Sequence, residues 1–323
     1  MSIRTALTER LGIQHPVLLA PMAGIGGGAL AAAVTRAGGL GLIGAGYSDE
    51  TWLRAQLALA GDAPVGVGFI TWVLERTPAL LSVALEYRLP AVLLSFGSLA
   101  PHAARVRSSG AVLIAQVQTV AQAREAVAQG AQIVVAQGTE AGGHGGTRAT
   151  LPLVPAVIDA IAPIPVLAAG GIADGRGLAA ALCLGAAGAL CGTAFYCSEE
   201  SLADPRAKQV VLSASGDATQ RSSLFDLARG LEWPASWALR TLQNGFSRQW
   251  AADPQGLLRQ LDAQQRRYAM ARESGDFDVA AVVAGEAVDL VHAVEPAQRI
   301  VAELVAGAMT ELRRAHALLT PEH

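Results

Sequence analysis

The chain of 323 residues contains little charge and few aromatic residues. Its 24 Lys and Arg face 27 Asp and Glu, and a net charge of −3 without a basic stripe argues against a nucleic-acid partner. Gly, Pro or charge breaks each apolar run well before about 20 residues, so no transmembrane helix is expected. The N-terminal stretch lacks the apolar centre of a signal peptide. We therefore expect a cytoplasmic protein that binds neither nucleic acid nor membrane.

Cysteine is scarce: Cys183, Cys191 and Cys197 are the three that the chain contains. Their spacing, C-x7-C-x5-C, matches no common zinc pattern, and no metal site is predicted. An odd number of cysteines in apolar surroundings indicates reduced thiols in or near the core.

Hydrophobic residues make up 52% of the chain and recur in eight short runs bounded by Gly or Pro. The runs are continuous rather than alternating, which is typical of parallel strands buried on both faces. They cover residues 16–20, 40–46, 65–72, 91–97, 112–117, 133–138, 165–171 and 189–195. Helical spacing of apolar residues follows in the gaps, at 28–38, 77–88, 119–130, 153–162 and 175–185.

This alternation of strand and helix predicts an α/β fold, a (β/α)8 TIM barrel. A doubly wound open sheet is the alternative. It is disfavoured because eight uninterrupted parallel units are rare in such sheets and no GxGxxG follows the first strand.

The sequence becomes more polar after Phe195. We predict that residues 217–277 are mostly helical and that 295–319 form a long amphipathic helix. The simplest arrangement is a helical lid, residues 213–285, inserted after strand eight. The barrel domain then consists of residues 1–212 and 286–323. The alternative is a separate C-terminal subdomain without a catalytic role.

Glycine and polar residues gather where the predicted strands end, which is the rim that carries chemistry in such barrels. Backbone N–H groups after strands seven and eight often bind phosphate there. The alternative is that these glycines only allow tight turns. The rim residues are Ala20, Pro21, Met22, Ala23 and Gly24 after strand one, Gln116 in strand five, Gln137 and Gly138 after strand six, Gly170 and Gly171 after strand seven, and Gly192 and Thr193 at strand eight.

The segment AQGTEAGGHGG, residues 136–146, sets Glu140 and His144 among five glycines. Glycine costs conformational entropy, so such a run indicates that a ligand or another backbone comes close. An imidazole titrates near neutral pH and can take a proton from an acidic carbon or hydrogen-bond an anion. A surface or capping histidine is the plainer alternative. For Glu140 we predict a structural role, accepting backbone N–H bonds from its own loop.

Four segments, "APMAG", "QGTEAGGHGG", "PVLAAGGIADG" and "LGAAGALCGTAF", resemble the nitronate monooxygenase family, formerly called 2-nitropropane dioxygenases. The resemblance covers residues 13–197, thins through the lid and returns weakly at 275–291. It implies a TIM barrel that binds FMN. The same superfamily includes flavin-dependent enoyl-ACP reductases and NADH:quinone reductases.

Carried over residue by residue, the resemblance implies that His144 is the catalytic residue. It implies that the flavin ring lies along Pro21, Met22 and Ala23, that Gln137 hydrogen-bonds it, and that the last two strands hold the phosphate. The complete implied cofactor set is Ala20, Pro21, Met22, Ala23, Gln116, Gln137, Gly142, Gly143, Gly170, Gly171, Gly192 and Thr193.

Two positions depart from the family pattern. Gly68 stands where many members have Asn or Gln, so one flavin contact is missing or supplied differently, with Ser95 as a candidate. Glu286 ends the segment Ala284-Gly285-Glu286 where the family has AGQ, which puts a negative charge near the lid hinge.

Three functions follow. The first is an FMN-dependent monooxygenase that oxidises alkyl nitronates with O2 to carbonyl compounds and nitrite. The second is a flavin reductase of quinones or enoyl thioesters with NAD(P)H as its partner. The third is a barrel that has lost flavin and is either non-enzymatic or a binder of another phosphate ligand. The oligomeric state is left open, with a homodimer as one alternative.

Overall fold

A barrel of eight parallel strands forms the body of the protein in the computed structural model, which describes residues 3–319. The strand order is β1-β9-β8-β6-β5-β4-β3-β2, and a bridge between Leu18 and Leu40 joins the two ends. The strands of the chain are β1 (Val17–Leu19), β2 (Leu42–Gly44), β3 (Gly66–Ile70), β4 (Ala91–Ser95), β5 (Val112–Val117), β6 (Ile133–Gln137), β7 (Gly143–Gly145), β8 (Val166–Ala169), β9 (Gly188–Cys191), β10 (Thr219–Ser222) and β11 (Ala238–Leu242). Each of the eight predicted strands is found, and the predicted (β/α)8 barrel is confirmed.

Helices surround the barrel and continue into the inserted segment. They are α1 (Ala6–Leu11), α2 (Gly28–Arg36), α3 (Glu50–Ala60), α4 (Thr71–Arg76), α5 (Ala79–Leu85), α6 (Ala100–Ser108), α7 (Val120–Ala128), α8 (Thr150–Ile161), α9 (Gly175–Cys183), α10 (Thr193–Tyr196), α11 (Pro205–Leu212), α12 (Leu224–Ala228), α13 (Gly245–Ala252), α14 (Pro254–Arg259), α15 (Leu261–Ser274) and α16 (Ala297–His316). Two short 3-10 helices, Gly216–Ala218 and Glu286–Leu290, flank the inserted segment. None of the helices described between residues 3 and 319 is long and apolar enough to cross a membrane.

The continuous apolar runs are explained by burial on both faces of the barrel strands. Leu18, Leu93 and Ile114 pack in an inner cluster that also contains Leu7 of α1. Their sequence neighbours, among them Leu94, pack in the larger cluster beneath the outer helices. Successive side chains in a strand point to opposite faces. Both faces of these strands are therefore apolar, which produces a continuous apolar run in the sequence.

The inserted segment contains two strands that the sequence did not predict. β10 pairs with β11, and β11 pairs in turn with β7, which belongs to the Gly-rich stretch after β6. The helices of the segment share a separate core that contains Phe225, Phe246, Trp250 and Tyr268. Because β7 supplies one edge of this small sheet, the Gly-rich stretch is bonded directly to the lid.

The final helix returns to the outer ring of the barrel. α16 packs against α9 and α2. A Cβ on Gly175 would lie 2.4 Å from the Cα of Gly307, so two glycines let α9 and α16 approach closely. This packing is expected of the last helix in the outer ring of a barrel. The domain limits themselves stay a prediction. Residues 1–2 and 320–323 of the predicted barrel domain lie outside the described residues.

The three cysteines are free, but not all are buried. Cys191 and Cys197 lie in the core, whereas Cys183 is exposed at the end of α9. The expected core or near-core position is therefore wrong for Cys183, because the last turn of α9 faces solvent there.

Candidate active site

A cavity of about 870 Å³ opens between the barrel rim and the lid. Its size falls within the range of small-molecule and cofactor sites. Every residue that the sequence placed at the site lines it: Ala20, Pro21, Met22, Ala23, Gln116, Gln137, Gly142, Gly143, His144, Gly170, Gly171, Gly192 and Thr193. The carboxyl ends of parallel strands meet at this rim, which explains why residues so far apart in the chain converge.

His144, on β7, is held by a carboxylate from the lid. Its Nε2 lies 3.0 Å from both Oδ1 and Oδ2 of Asp226 in α12. His144 is 7% exposed and Asp226 is 3% exposed. Sequence reasoning missed Asp226, which is 82 residues away from its partner and carries no local motif.

Aromatic side chains enclose the imidazole. The ring of Trp233 stacks on that of His144 with centroids 3.4 Å apart, and Phe96 meets it edge-on at 6.3 Å. The indole Nε1 of Trp233 donates a hydrogen bond of 2.7 Å to the hydroxyl of Tyr47. The imidazole therefore has aromatic rings on two sides, and the plane of its ring is fixed.

Burial lowers the pKa of His144 below its usual 6.5. The hydrogen bond and charge of Asp226 oppose this shift, while Arg229 and Arg221 add to it. Nδ1 of His144 makes no hydrogen bond to the described residues, 3–319. This atom is not fully buried, so solvent reaches it. The lowered pKa favours the neutral imidazole at neutral pH, and Nδ1 is its unpaired nitrogen.

The glycines of the loop after β6 accommodate the lid. A Cβ on Gly142 would lie 2.6 Å from the carbonyl carbon of Ala284. Arg221 in β10 donates hydrogen bonds to the carbonyls of Thr139, Ala141 and Gly143 at 2.8–3.2 Å. Close backbone approach is therefore the physical reason for at least part of this glycine run.

Glu140 is used structurally, as expected, but outside its own loop. Its carboxylate accepts from the backbone N–H of Thr150 at 2.9 Å and from the Thr150 hydroxyl at 2.8 Å. It thereby ties the Gly-rich loop to the first turn of α8.

The ends of β8 and β9 offer backbone donors to the cavity. Gly170 and Gly171 have φ of 100° and 74°, a left-handed conformation that favours glycine. Between residues 3 and 319 we find no protein acceptor for the backbone N–H of Gly171, Gly192 or Thr193. Backbone N–H groups are rarely left unpaired, and this cluster of free donors fits a phosphate group.

The side chains of the two predicted glutamines differ in how many of their hydrogen-bonding groups remain unpaired. Gln137 donates to the carbonyl of His144 at 3.0 Å and accepts from Gln118 at 2.8 Å. Gln118 in turn accepts from Trp237. The side-chain amide of Gln116 has no hydrogen-bond partner among the described residues, and Gln116 lines the cavity. Gln116 is therefore the freer of the two for contact with a cofactor, and Gln137 fixes the loop that carries His144.

The two family departures have local explanations. A Cβ at Gly68 would lie 2.3 Å from Cβ and Cγ of Pro21, so Pro21 fills the space of a side chain at position 68. The hydroxyl of Ser95 lines the cavity but donates to the carbonyl of Phe69 at 3.2 Å. Glu286 pairs with Arg240 of β11 at 2.9 Å, so a lid residue balances its charge.

Comparison with known proteins identifies the family. The nitronate monooxygenase family matches residues 4–71 and 74–307. Nitronate monooxygenase npaC of Metarhizium robertsii is 36% identical over 323 residues, which cover 89% of each chain. The structure of FabK from Thermotoga maritima has a TM-score of 0.87 and 31% identity, covering 98% of this chain and 100% of that one.

A further relative bears a different activity in its name. The 5-hydroxy-7a-methyl-1-oxo-octahydro-1H-indene-4-carboxyl-CoA dehydrogenase of Mycobacterium tuberculosis is 40% identical over 234 residues. These cover 70% of this chain and 65% of the dehydrogenase, so the match spans less than two thirds of that protein's length. The family match over nearly the whole chain, together with the barrel, leads to one conclusion: this chain belongs to the nitronate monooxygenase family, a family of flavoenzymes.

Proposed function

We propose that the chain is an FMN-dependent nitronate monooxygenase, which oxidises alkyl nitronates with O2 to carbonyl compounds and nitrite. The observation that carries the proposal is the imidazole of His144, whose unpaired Nδ1 lies in the same cavity as the free backbone N–H groups of the rim. The family match and the relative named nitronate monooxygenase support the choice of substrate.

The residues present fit FMN. The free N–H groups of Gly171, Gly192 and Thr193 would hold its phosphate, and Gln116 would contact its ring. Pro21 and Met22, in the segment after β1, would line the ring. When bound, FMN would supply the redox chemistry, as the acceptor of the substrate's electrons and their donor to O2.

The side chains of the lid and loop prepare the substrate. Nδ1 of His144 takes the α-proton of a nitroalkane, or holds the anionic nitronate by a hydrogen bond once it is protonated. A positioned base of this kind contributes roughly 10²- to 10⁴-fold in rate. Phe96 and Trp233 give the imidazole an apolar wall on the sides that they cover.

A second function has one observation in its favour. The cavity continues from the rim to α15, where Gln265, Tyr268 and Arg272 line it. That space suits a longer substrate than a small nitronate. It is consistent with an NAD(P)H-dependent reductase of quinones or enoyl thioesters, and the relative from Mycobacterium tuberculosis is named for a CoA ester.

An anaerobic stopped-flow experiment separates the two functions. The purified protein is mixed with an alkyl nitronate, NADH or NADPH, and bleaching of the flavin absorption is followed. We expect rapid reduction by the nitronate and oxygen uptake when air is admitted, without any pyridine nucleotide. Reduction by NADH or NADPH, with none by several nitronates, would establish the reductase. A colourless protein that gains no flavin absorption on addition of FMN would refute both.

A further inference from the structure

We propose that Asp226 is the positioning residue of His144: it fixes the imidazole as the Nε2–H tautomer and so makes Nδ1 the proton-accepting atom. The use of Nδ1 as a base rests on the proposed function. The tautomer does not, because it is a property of the protein before any substrate binds.

The geometry of the pair selects the tautomer. A carboxylate accepts hydrogen bonds and donates none. Both oxygens of Asp226 lie 3.0 Å from Nε2, the arrangement expected when one N–H is shared between two acceptors. In a neutral imidazole the other nitrogen then carries the lone pair. Nδ1, the nitrogen that solvent reaches, is thereby left able to accept a proton.

The surroundings hold the pair in this arrangement. Trp233 covers the imidazole at an interplanar angle of 7°, which prevents the ring from tilting away from Asp226. The backbone of Asp226 donates to the carbonyl of Ser223 and accepts from Leu231, so the turn that carries the carboxylate is fixed. Nη1 of Arg229 lies 3.8 Å from Oδ1 of Asp226 and balances part of its charge.

The charged groups that act on His144 come from the lid. They are Asp226 of α12, Arg229 directly after that helix, and Arg221 of β10. Tyr47, from the loop before α3, is linked to the imidazole indirectly. Its hydroxyl accepts a hydrogen bond from Trp233, which stacks on the ring. The barrel side contributes Phe96, an uncharged ring. Asp226 is therefore the anion positioned to stabilise the imidazolium that forms when Nδ1 gains a proton.

Exchanging Asp226 for Asn tests the role with almost no change in shape. An asparagine amide can donate to Nε2, which favours the tautomer with the proton on Nδ1 and removes the base. In hydrolases that rely on a His-Asp pair, the same exchange lowers turnover by about 10⁴-fold for this reason. With a nitroalkane, whose α-proton must be removed, we expect Asp226→Asn to decrease kcat by about 10²- to 10⁴-fold with little change in KM.

The direct measurement is the nitrogen-15 NMR spectrum of the FMN-loaded protein labelled at histidine, with His144 assigned by comparison with His144→Gln. We expect a protonated Nε2 and an unprotonated Nδ1 for His144 at neutral pH. The Asp226→Asn variant is expected to move the proton to Nδ1, and Asp226→Glu to restore the original tautomer and most of the turnover. The matched control is Asp262→Asn, which removes an exposed lid carboxylate and should leave both readouts unchanged.

Two results would overturn the positioning role: a wild-type His144 protonated on Nδ1, or a tautomer that Asp226→Asn leaves as it was. The wild-type spectrum decides the first point even if the Asn variant fails to fold. The expected tautomer without any nitronate turnover would refute the proposed function and leave the assignment of Asp226 intact.

Discussion

Trp233 lies parallel to the imidazole of His144, with 3.4 Å between the ring centroids and 7° between the planes. The histidine comes from the loop after β6 and the tryptophan from the segment between α12 and β11. The lid therefore contributes to the chemical environment of the imidazole and does not merely cover the cavity. Trp233 is in turn fixed by Tyr47 and by edge contacts with Phe96 and Trp72.

Replacing Trp233 by Leu tests this contact. The stack contributes about 0.5–1.5 kcal/mol beyond its burial, and its loss should lower kcat by about tenfold through misorientation of the imidazole. FMN binding should be retained. Steady-state kinetics and flavin absorbance check both points. Trp250→Phe, a change within the separate lid core, is the control. Full activity in Trp233→Leu would show that the stack does not orient the base.

Replacing His144 by Ala should leave FMN bound and lower kcat by about 10²- to 10⁴-fold, because the proton acceptor is removed. Flavin content after gel filtration and oxygen uptake with a nitroalkane are the measurements. His316→Ala, at an exposed position near the end of α16, is the control. Loss of flavin from His144→Ala would instead identify this residue as part of the cofactor site.

The pH profile should show a base with a lowered pKa. Burial depresses the pKa of His144, so the neutral, active form persists below pH 6.5 and is lost as the pH falls through the lowered pKa. The acidic limb of kcat/KM for a nitroalkane should therefore lie below 6.5. Asp226→Asn should move it lower still, because the group that raises the pKa is removed. An acidic limb at or above 6.5 in the wild type would contradict the buried position of the ring.

Replacing Gly142 by Ala tests the contact between loop and lid. The new Cβ would lie 2.6 Å from the carbonyl carbon of Ala284 and 2.7 Å from the nitrogen of Gly285, so the backbone must move. Overpacking of this kind costs about 1–3 kcal/mol. We expect a lower Tm and weaker FMN binding, measured by thermal unfolding with and without added FMN. An unchanged Tm and FMN affinity would mean that the two segments are apart in solution.

The barrel could be predicted because its strands are encoded locally. Apolar runs such as 91–97 and 112–117 report burial on both faces, and the residues that end them must lie on one rim. The lid strands could not be predicted in the same way. β10 has the sequence TQRS, and it forms because β11 pairs with it, a contact between distant segments that no local pattern indicates. The sequence predicts both Gln116 and Gln137 at the cavity. It does not show that the side chain of Gln118 donates a hydrogen bond to that of Gln137.

The sequence by itself determined the fold class, the rim and the presence of one imidazole in a glycine-rich loop, because strand burial and backbone freedom depend on residue type and spacing along the chain. The tertiary structure alone decided what surrounds that imidazole. Asp226 and Trp233 reach His144 through the pairing of β7 with β11 and the position of α12, which are contacts across 82 and 89 residues of chain. The tautomer and pKa of a buried histidine depend on those contacts, and side chains so distant in sequence are brought together by packing rather than by any local motif.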